Sequence, residues 1–186
     1  MNAFPRRTGY PAVEPITLAD ALVHLRETAD GGENDAYITS LIVVARMACE
    51  DRTERSLIST PWLLKLDEFP EVIELIRCPV IAVQSVQYLD ADGVLQTLSD
   101  TTYTVDVASE PARIVPVDVW PATQVGAINA VRVAFTAGYG VSGSSVPVPL
   151  KHWMLCALTY LYENRAGDIP EDFAAGLLGP FRTLGV

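Results

Sequence analysis

Apolar and polar positions along this chain change their period twice. From Thr17 to about Arg55 apolar residues recur at helical spacing, from Trp62 to about Phe135 they alternate, and after Pro147 the helical spacing returns. Ahead of the first change, residues 1–16 have no period and contain three prolines, with Arg6 and Arg7 side by side. They read as an extended arm that frays unless a partner holds it. Thr17 and Asp20 form a T-x-x-D capping box, and Leu18, Ala21, Leu22 and Leu25 carry one helical stripe up to Gly31 and Gly32. The second helix is predicted to start at an Asn34 N-cap, with Asp35 in the first turn, where the helix dipole favours negative charge. Its stripe is Tyr37, Ile38, Leu41, Ile42, Ala45 and Cys49. Val43 and Val44 fall outside it, so this helix is apolar on more than one face. Glu50, Asp51, Arg52, Glu54 and Arg55 then make a charged end, with Asp51 and Arg55 at the i,i+4 spacing of a modest salt bridge.

Ser59, Thr60 and Pro61 close the helical half. Trp62 to Leu66, Val72 to Ile76, Val80 to Leu89, Val94 to Leu98, Tyr103 to Val107, Arg113 to Val117 and Ala130 to Phe135 are predicted strands of one compact antiparallel sheet. Asp90 to Gly93 is a D-A-D-G hairpin turn. Pro147 and Pro149 open the next helix, where a first-turn N–H has no intrahelical partner to lose. Trp153, Met154, Ala157, Leu158, Leu161 and Tyr162 form its stripe, and Gly167 stops it. Pro170, Glu171 and Asp172 open a last short helix carrying Phe173, Leu177 and Leu178, followed by Phe181, Leu184 and Val186. The predicted class is α+β: helices over 17–56 and 147–180 pack together, with a β-insertion over 60–140, in one domain spanning 17–186.

Composition sharpens this picture in two respects. The chain has 186 residues, of which 49% are hydrophobic, and a mean hydropathy of +0.24, which is apolar for a solitary domain and points to subunit contacts. Thirteen Lys and Arg against 23 Asp and Glu give a net charge of −10, which excludes tight wrapping of nucleic acid. Eleven of the thirteen cations are Arg and only Lys65 and Lys151 are Lys, which favours fixed planar salt bridges over a diffuse basic surface. Cys49, Cys78 and Cys156 are odd in number and lack metal-ligand spacing, so they read as buried free thiols in a reducing compartment. The aliphatic run Leu41 to Ala45 ends at Arg46, far short of a membrane span, and the arm lacks the apolar core of a signal peptide.

Candidate chemistry is sparse. His24 and His152 sit in predicted helices without a nucleophile at a meaningful spacing and read as surface or helix-end residues. Gly138-Tyr139-Gly140 lacks the Gly-Lys-Ser/Thr ending of a phosphate loop and reads as a strand exit needing positive φ. Asp90 and Asp92 lack the further ligands of a calcium loop. Trp62, Trp120 and Trp153 read as core or interface anchors. No catalytic residue, metal site or cofactor is predicted. The carboxylates Glu50, Asp51 and Glu54, interleaved with Arg52 and Arg55, read as a solvated or inter-subunit charged face. The apolar C-terminal run either folds back on the chain's own helices or docks into a partner groove.

Taken together these segments resemble the head-tail connector (adaptor) proteins of long-tailed bacteriophages, prophages and gene transfer agents. The carriers run from Ile16 to about Phe181: Ile16 to Ala21 leading to His24-Leu25-Arg26, the long second helix Asp35 to Glu54, and Pro61-Trp62 with Leu64 to Phe69. They continue through Cys78-Pro79-Val80 to Asp92-Gly93, Tyr103 to Asp106, Pro111 to Ile114, Trp120-Pro121, Val133 to Gly140, Val146 to Lys151 and Tyr162 to Arg165. No segment is specific alone; their order and spacing together are. The resemblance implies a non-enzymatic homo-oligomeric ring, commonly of twelve subunits, in the virion neck beneath the portal protein, after a period in the host cytoplasm. It implies a platform for a stopper or tail-terminator protein and a channel through which DNA passes unbound.

Twelve chains of charge −10 would sum to about −120, a field that repels phosphate. On this reading Glu50, Asp51 and Glu54 or acidic sheet loops line the lumen, and Phe173, Leu177, Leu178 and Phe181 dock on the portal. A monomeric partner-binding module and a small hydrolase around His24 or His152 are the alternatives.

Overall fold

The computed structural model describes residues 4–165 and 167–182. Two compact units share the chain: Met1–Tyr10 with Ser59–Gly138, and Pro11–Ile58 with Tyr139–Val186. The class is α+β, as the change of period implies.

The helical unit is built from α1 (Leu18–Leu25), α2 (Glu33–Thr53), α3 (Val148–Glu163) and a single C-terminal turn, α4 (Ala175–Leu178). The capping box forms as predicted: the Thr17 side chain accepts from the Asp20 N–H, and the Asp20 carboxylate accepts from the Thr17 N–H. These hydrogen bonds hold the Asp20 carboxyl below its ordinary pKa. α2 starts two residues earlier than the Asn34 cap implies, at a Gly32 N-cap. The Asp35 carboxylate accepts from the Gly31 N–H and the Asp30 carboxylate from the Gly32 N–H, so carboxylates on both sides of the start do the capping. Its inner stripe, Ile38, Leu41, Ile42, Ala45 and Cys49, packs with Leu150, Trp153, Met154, Ala157 and Leu158 of α3 in one core. Val44 and Met47 point the other way and are 45% and 51% exposed. Gly143 lies under the chain leading into α1, and a Cβ there would sit 2.6 Å from the Pro15 carbonyl oxygen.

Seven predicted strands are present within a residue or two: β2 (Thr60–Leu66), β3 (Ile73–Leu75), β4 (Val80–Leu89), β5 (Leu95–Thr97), β6 (Tyr103–Asp106), β7 (Ala112–Pro116) and β8 (Val131–Ala137). They form two antiparallel sheets rather than one. β1 (Arg6–Arg7) joins the first, whose order is β1-β2-β8-β4-β5; the second is β3-β7-β6. A two-residue strand in a proline-rich arm carries no period, which is why the pattern shows no β1. Inward residues of both sheets, among them Trp62, Leu64, Ile73, Ile114, Val133 and Phe135, share the second core. The D-A-D-G turn closes β4 to β5. Gln96, Val94 and Asp92 donate to the Asp90 carboxylate, which holds its pKa below the usual range. Gly138, with φ 143°, turns the chain out of β8 as the strand-exit reading requires. No described helix is long and apolar enough to cross a membrane.

Candidate assembly surfaces

The charged end of α2 is less exposed than its sequence implies. Arg46 is 2% exposed, and its guanidinium donates to Glu14 Oε2 (2.8 Å) and Glu50 Oε2 (2.7 Å). Glu50 Oε1 accepts from the Leu57 N–H at 2.9 Å, and Glu50 itself is 3% exposed. A buried charge persists only when paired and hydrogen-bonded, and this cluster meets that condition by joining the end of α2, the chain entering α1 and the chain leaving α2. Glu50 therefore belongs to the interior of the helical unit and not to a charged face. Arg55, 6% exposed, is a second correction: its Nε donates to the Phe181 carbonyl at 2.5 Å. Asp51 remains exposed, and Arg52 and Glu54 are partly exposed. Arg46 and Glu14 were missed in the sequence reading. The signal was present, because Arg46 breaks an apolar stripe and has Glu50 one turn ahead.

The cations beside these carboxylates face the chain's own C-terminal segment. Arg52 donates to the Ile169 and Pro170 carbonyls at 2.7 and 2.8 Å, with its guanidinium 5.2 Å from the Trp153 ring centre. Trp153 Nε1 donates to the Phe173 carbonyl at 3.0 Å. Phe173 stands edge-on to Trp153 and tilted to Tyr160. Leu178 is 1% exposed, and Phe173, Leu177 and Phe181 are partly buried against the same core. Of the two readings of the apolar run, the chain folds back on its own helices. The last helix is shorter than predicted, because Glu171 to Ala174 form a turn and Ala174 takes positive φ. Leu184 and Val186 lie outside the described residues.

Three potentially reactive side chains meet on α1 and α3. The His24 and His152 rings are 6.3 Å apart, edge to face, and Cys156 Sγ lies 3.7 Å from His152 Nε2. The i,i+4 spacing of His152 and Cys156 on one helix is the sequence signal for this contact. Burial pushes the Cys156 thiol pKa up, which disfavours the nucleophilic thiolate, and Cys49 is pushed up to about 12 by burial as well. No group of three or more His, Cys, Asp or Glu among the described residues could hold a metal ion.

In the β unit, Trp62 is buried between two cations, Arg7 and Arg77, at 4.8 and 5.1 Å from its ring centre. Trp120 stacks on Phe69 at 4.6 Å. Together with Trp153 they act as anchors, as their apolar contexts imply.

No family model matches the sequence, and no curated protein does. Solved structures do. A chain of the neck of an empty gene transfer agent particle, computed with C6 symmetry, is 27% identical, with a TM-score of 0.80 over 98% of this chain and 97% of its own. A chain of the virion of a native gene transfer agent particle is 26% identical, with a TM-score of 0.79 over 98% and 96%. A chain of the native neck computed with C12 symmetry is 26% identical, with a TM-score of 0.77 over 100% and 97%. The class this defines is the fold of these neck chains of gene transfer agent particles, which is consistent with the head-tail connector resemblance. The resemblance carried by the order of segments from Ile16 to Phe181 holds over the whole length.

Proposed function

We propose that this protein is a structural, non-enzymatic component of the neck of a tailed, gene-transfer-agent-like or phage-like particle. In this role it forms a ring beneath the portal, extends the DNA channel and seats a stopper or tail-terminator protein. The whole-length similarity to neck chains, at a TM-score of 0.80, is the observation that carries the reading. The symmetric assemblies of those neighbours support a ring of repeated copies. A ring subunit uses two different surfaces on its two neighbours, and the outward apolar residues Val44 and Met47 on α2 suit such a contact.

Of the three predicted lumen carboxylates, Asp51 and Glu54 are the two that are not buried, and in an acidic lumen like charge lets a duplex slide without sticking. Phe173, Leu177 and Phe181 keep part of their surface open and are the portal-facing candidates, while Leu178 stays in its own core. The test is the stoichiometry of the complex with purified portal protein, read by native mass. A ring of copies matching the portal symmetry is expected; a chain that stays monomeric beside portal overturns the proposal. Leu177→Asp tests the docking surface more cleanly than truncation, because removing residues from Phe173 onward also strips Trp153 and Arg55 of their acceptors.

A further inference from the structure

The register of the five-stranded sheet places three cations on the face turned away from the β-unit core. Inward residues of β2 are Trp62 and Leu64, so Leu63 and Lys65 face outward. On β8 the inward Val133 and Phe135 leave Arg132, Ala134 and Thr136 outward. Lys65 stands directly across from Arg132, which stands across from Gln87 of β4, and Arg6 stands across from Leu63. No residue of this outward set is buried.

The β unit has six cations. Arg7 and Arg77 flank Trp62, and Arg113 reaches Glu74 at 3.8 Å. The other three are these, and among the described residues none has a carboxylate within salt-bridge distance. Arg132 Nε is a buried donor with no hydrogen-bond partner. Two nearby carboxylates are engaged elsewhere: Asp67 accepts from the Asn129 N–H, and Asp90 holds the hairpin turn. Like charges directly opposite on a sheet destabilise it, so a pair such as Lys65 and Arg132 calls for an anion from outside.

We propose that this face is one side of the contact between adjacent copies of the chain, and that it takes an acidic surface of the neighbouring copy. The inference rests on the ring reading above. A second copy is favoured over the phosphate backbone of DNA because Leu63, Ala82, Ala134, Leu89 and Leu95 lie among the cations, and apolar surface interleaved with Arg suits a protein partner. Each copy carries −10, so ring closure brings like-charged copies together, and a basic face set against an acidic one lowers that repulsion.

A head-to-tail ring joins two unlike patches, and the chain holds a complement. Glu27, Asp30, Glu33 and Asp35, in the connection from α1 into α2, lie in a stretch without Lys or Arg between Arg26 and Arg46. None of them forms a salt bridge among the described residues.

The experiment compares four full-length chains at low ionic strength, alone and on purified portal, by sedimentation and native mass. They are the wild type, K65E/R132E, E27K/E33K and the combination of all four changes, each checked for folding by circular dichroism. Assembly of either double variant is expected to weaken by at least about tenfold, as is wild-type assembly in high salt, and the combined charge swap is expected to restore it. Rings formed equally well by K65E/R132E, or a combined variant that folds but does not regain assembly, overturn the proposal and leave the ring reading standing. A wild-type chain that forms no ring even on portal overturns the ring reading itself, and this inference with it.

Discussion

The two units handle their charges in opposite ways. The helical unit, with seven cationic and thirteen acidic side chains, turns several of its cations inward: Arg46 on Glu14 and Glu50, Arg52 and Arg55 on carbonyls of the C-terminal segment. The β unit, with six cations and ten acids, places Arg6, Lys65 and Arg132 on one sheet face, and among the described residues none of the three has a carboxylate within salt-bridge distance. Arginines that satisfy buried or half-buried acceptors hold a fold together, whereas cations displayed together without counter-charge describe a surface waiting for one. Charge pairing holds the helical unit together, and on the proposal above the β unit offers its cations to a neighbouring copy.

The largest test of that contrast exchanges one core residue in each unit. Arg46→Ala removes the buried guanidinium that Glu14 and Glu50 share and should cost about 3–5 kcal/mol. Phe135→Ala in the sheet core should cost a similar amount, about 3–5 kcal/mol, from lost transfer energy and the cavity left behind. Hydrogen exchange should show protection lost in the helical unit for the first and in the β unit for the second. Loss spread evenly over both units in either variant would break the comparison.

Gly143→Ala comes next. Its Cβ would meet the Pro15 carbonyl oxygen at 2.6 Å, backbone against backbone, so about 1–3 kcal/mol should be lost in thermal or urea unfolding, with the β unit unchanged. Trp153→Phe keeps an aromatic ring but removes the N–H donor to Phe173 and leaves a small cavity, which should cost about 1–3 kcal/mol and speed proteolytic cleavage near residues 167–173.

The smallest effect is the response to acid, and it should be alike in both units. Asp20 is depressed by hydrogen bonds from Thr17, Asp30 by the Gly32 N–H, Asp90 by Gln96 and Asp106 by Ser109. A depressed folded pKa adds stability that is complete above the unfolded value, about 3.9, and is lost as pH falls through the folded one. Both units should therefore weaken below about pH 4, and Asp20→Asn with Asp90→Asn should flatten the profile. A loss beginning near neutral pH would contradict this assignment.

Much of the fold was legible because it depends on short-range pattern. The capping box at Thr17, the D-A-D-G turn and seven strands follow from neighbours within a few residues. What the pattern misjudged depends on distant partners. Glu50 looked like a surface carboxylate because its next neighbours are charged, yet its partners are Arg46 and the Leu57 N–H. The C-terminal run could cover its own helices or a partner's, and its carbonyls meet Arg52 and Arg55, more than a hundred residues earlier. β1 has no periodicity to read, and the edge of β2 recruits it.

By itself, the sequence determined the α+β order, the element boundaries to within a few residues and the connector resemblance, because propensity, capping and periodicity are local and segment order is one-dimensional. Only the tertiary structure decided that one sheet would be two, which α2 charges would be buried, and that Arg6, Lys65 and Arg132 would share a face. Strand register and the pairing of a charge with a partner far along the chain are relations between segments, and no single segment encodes them.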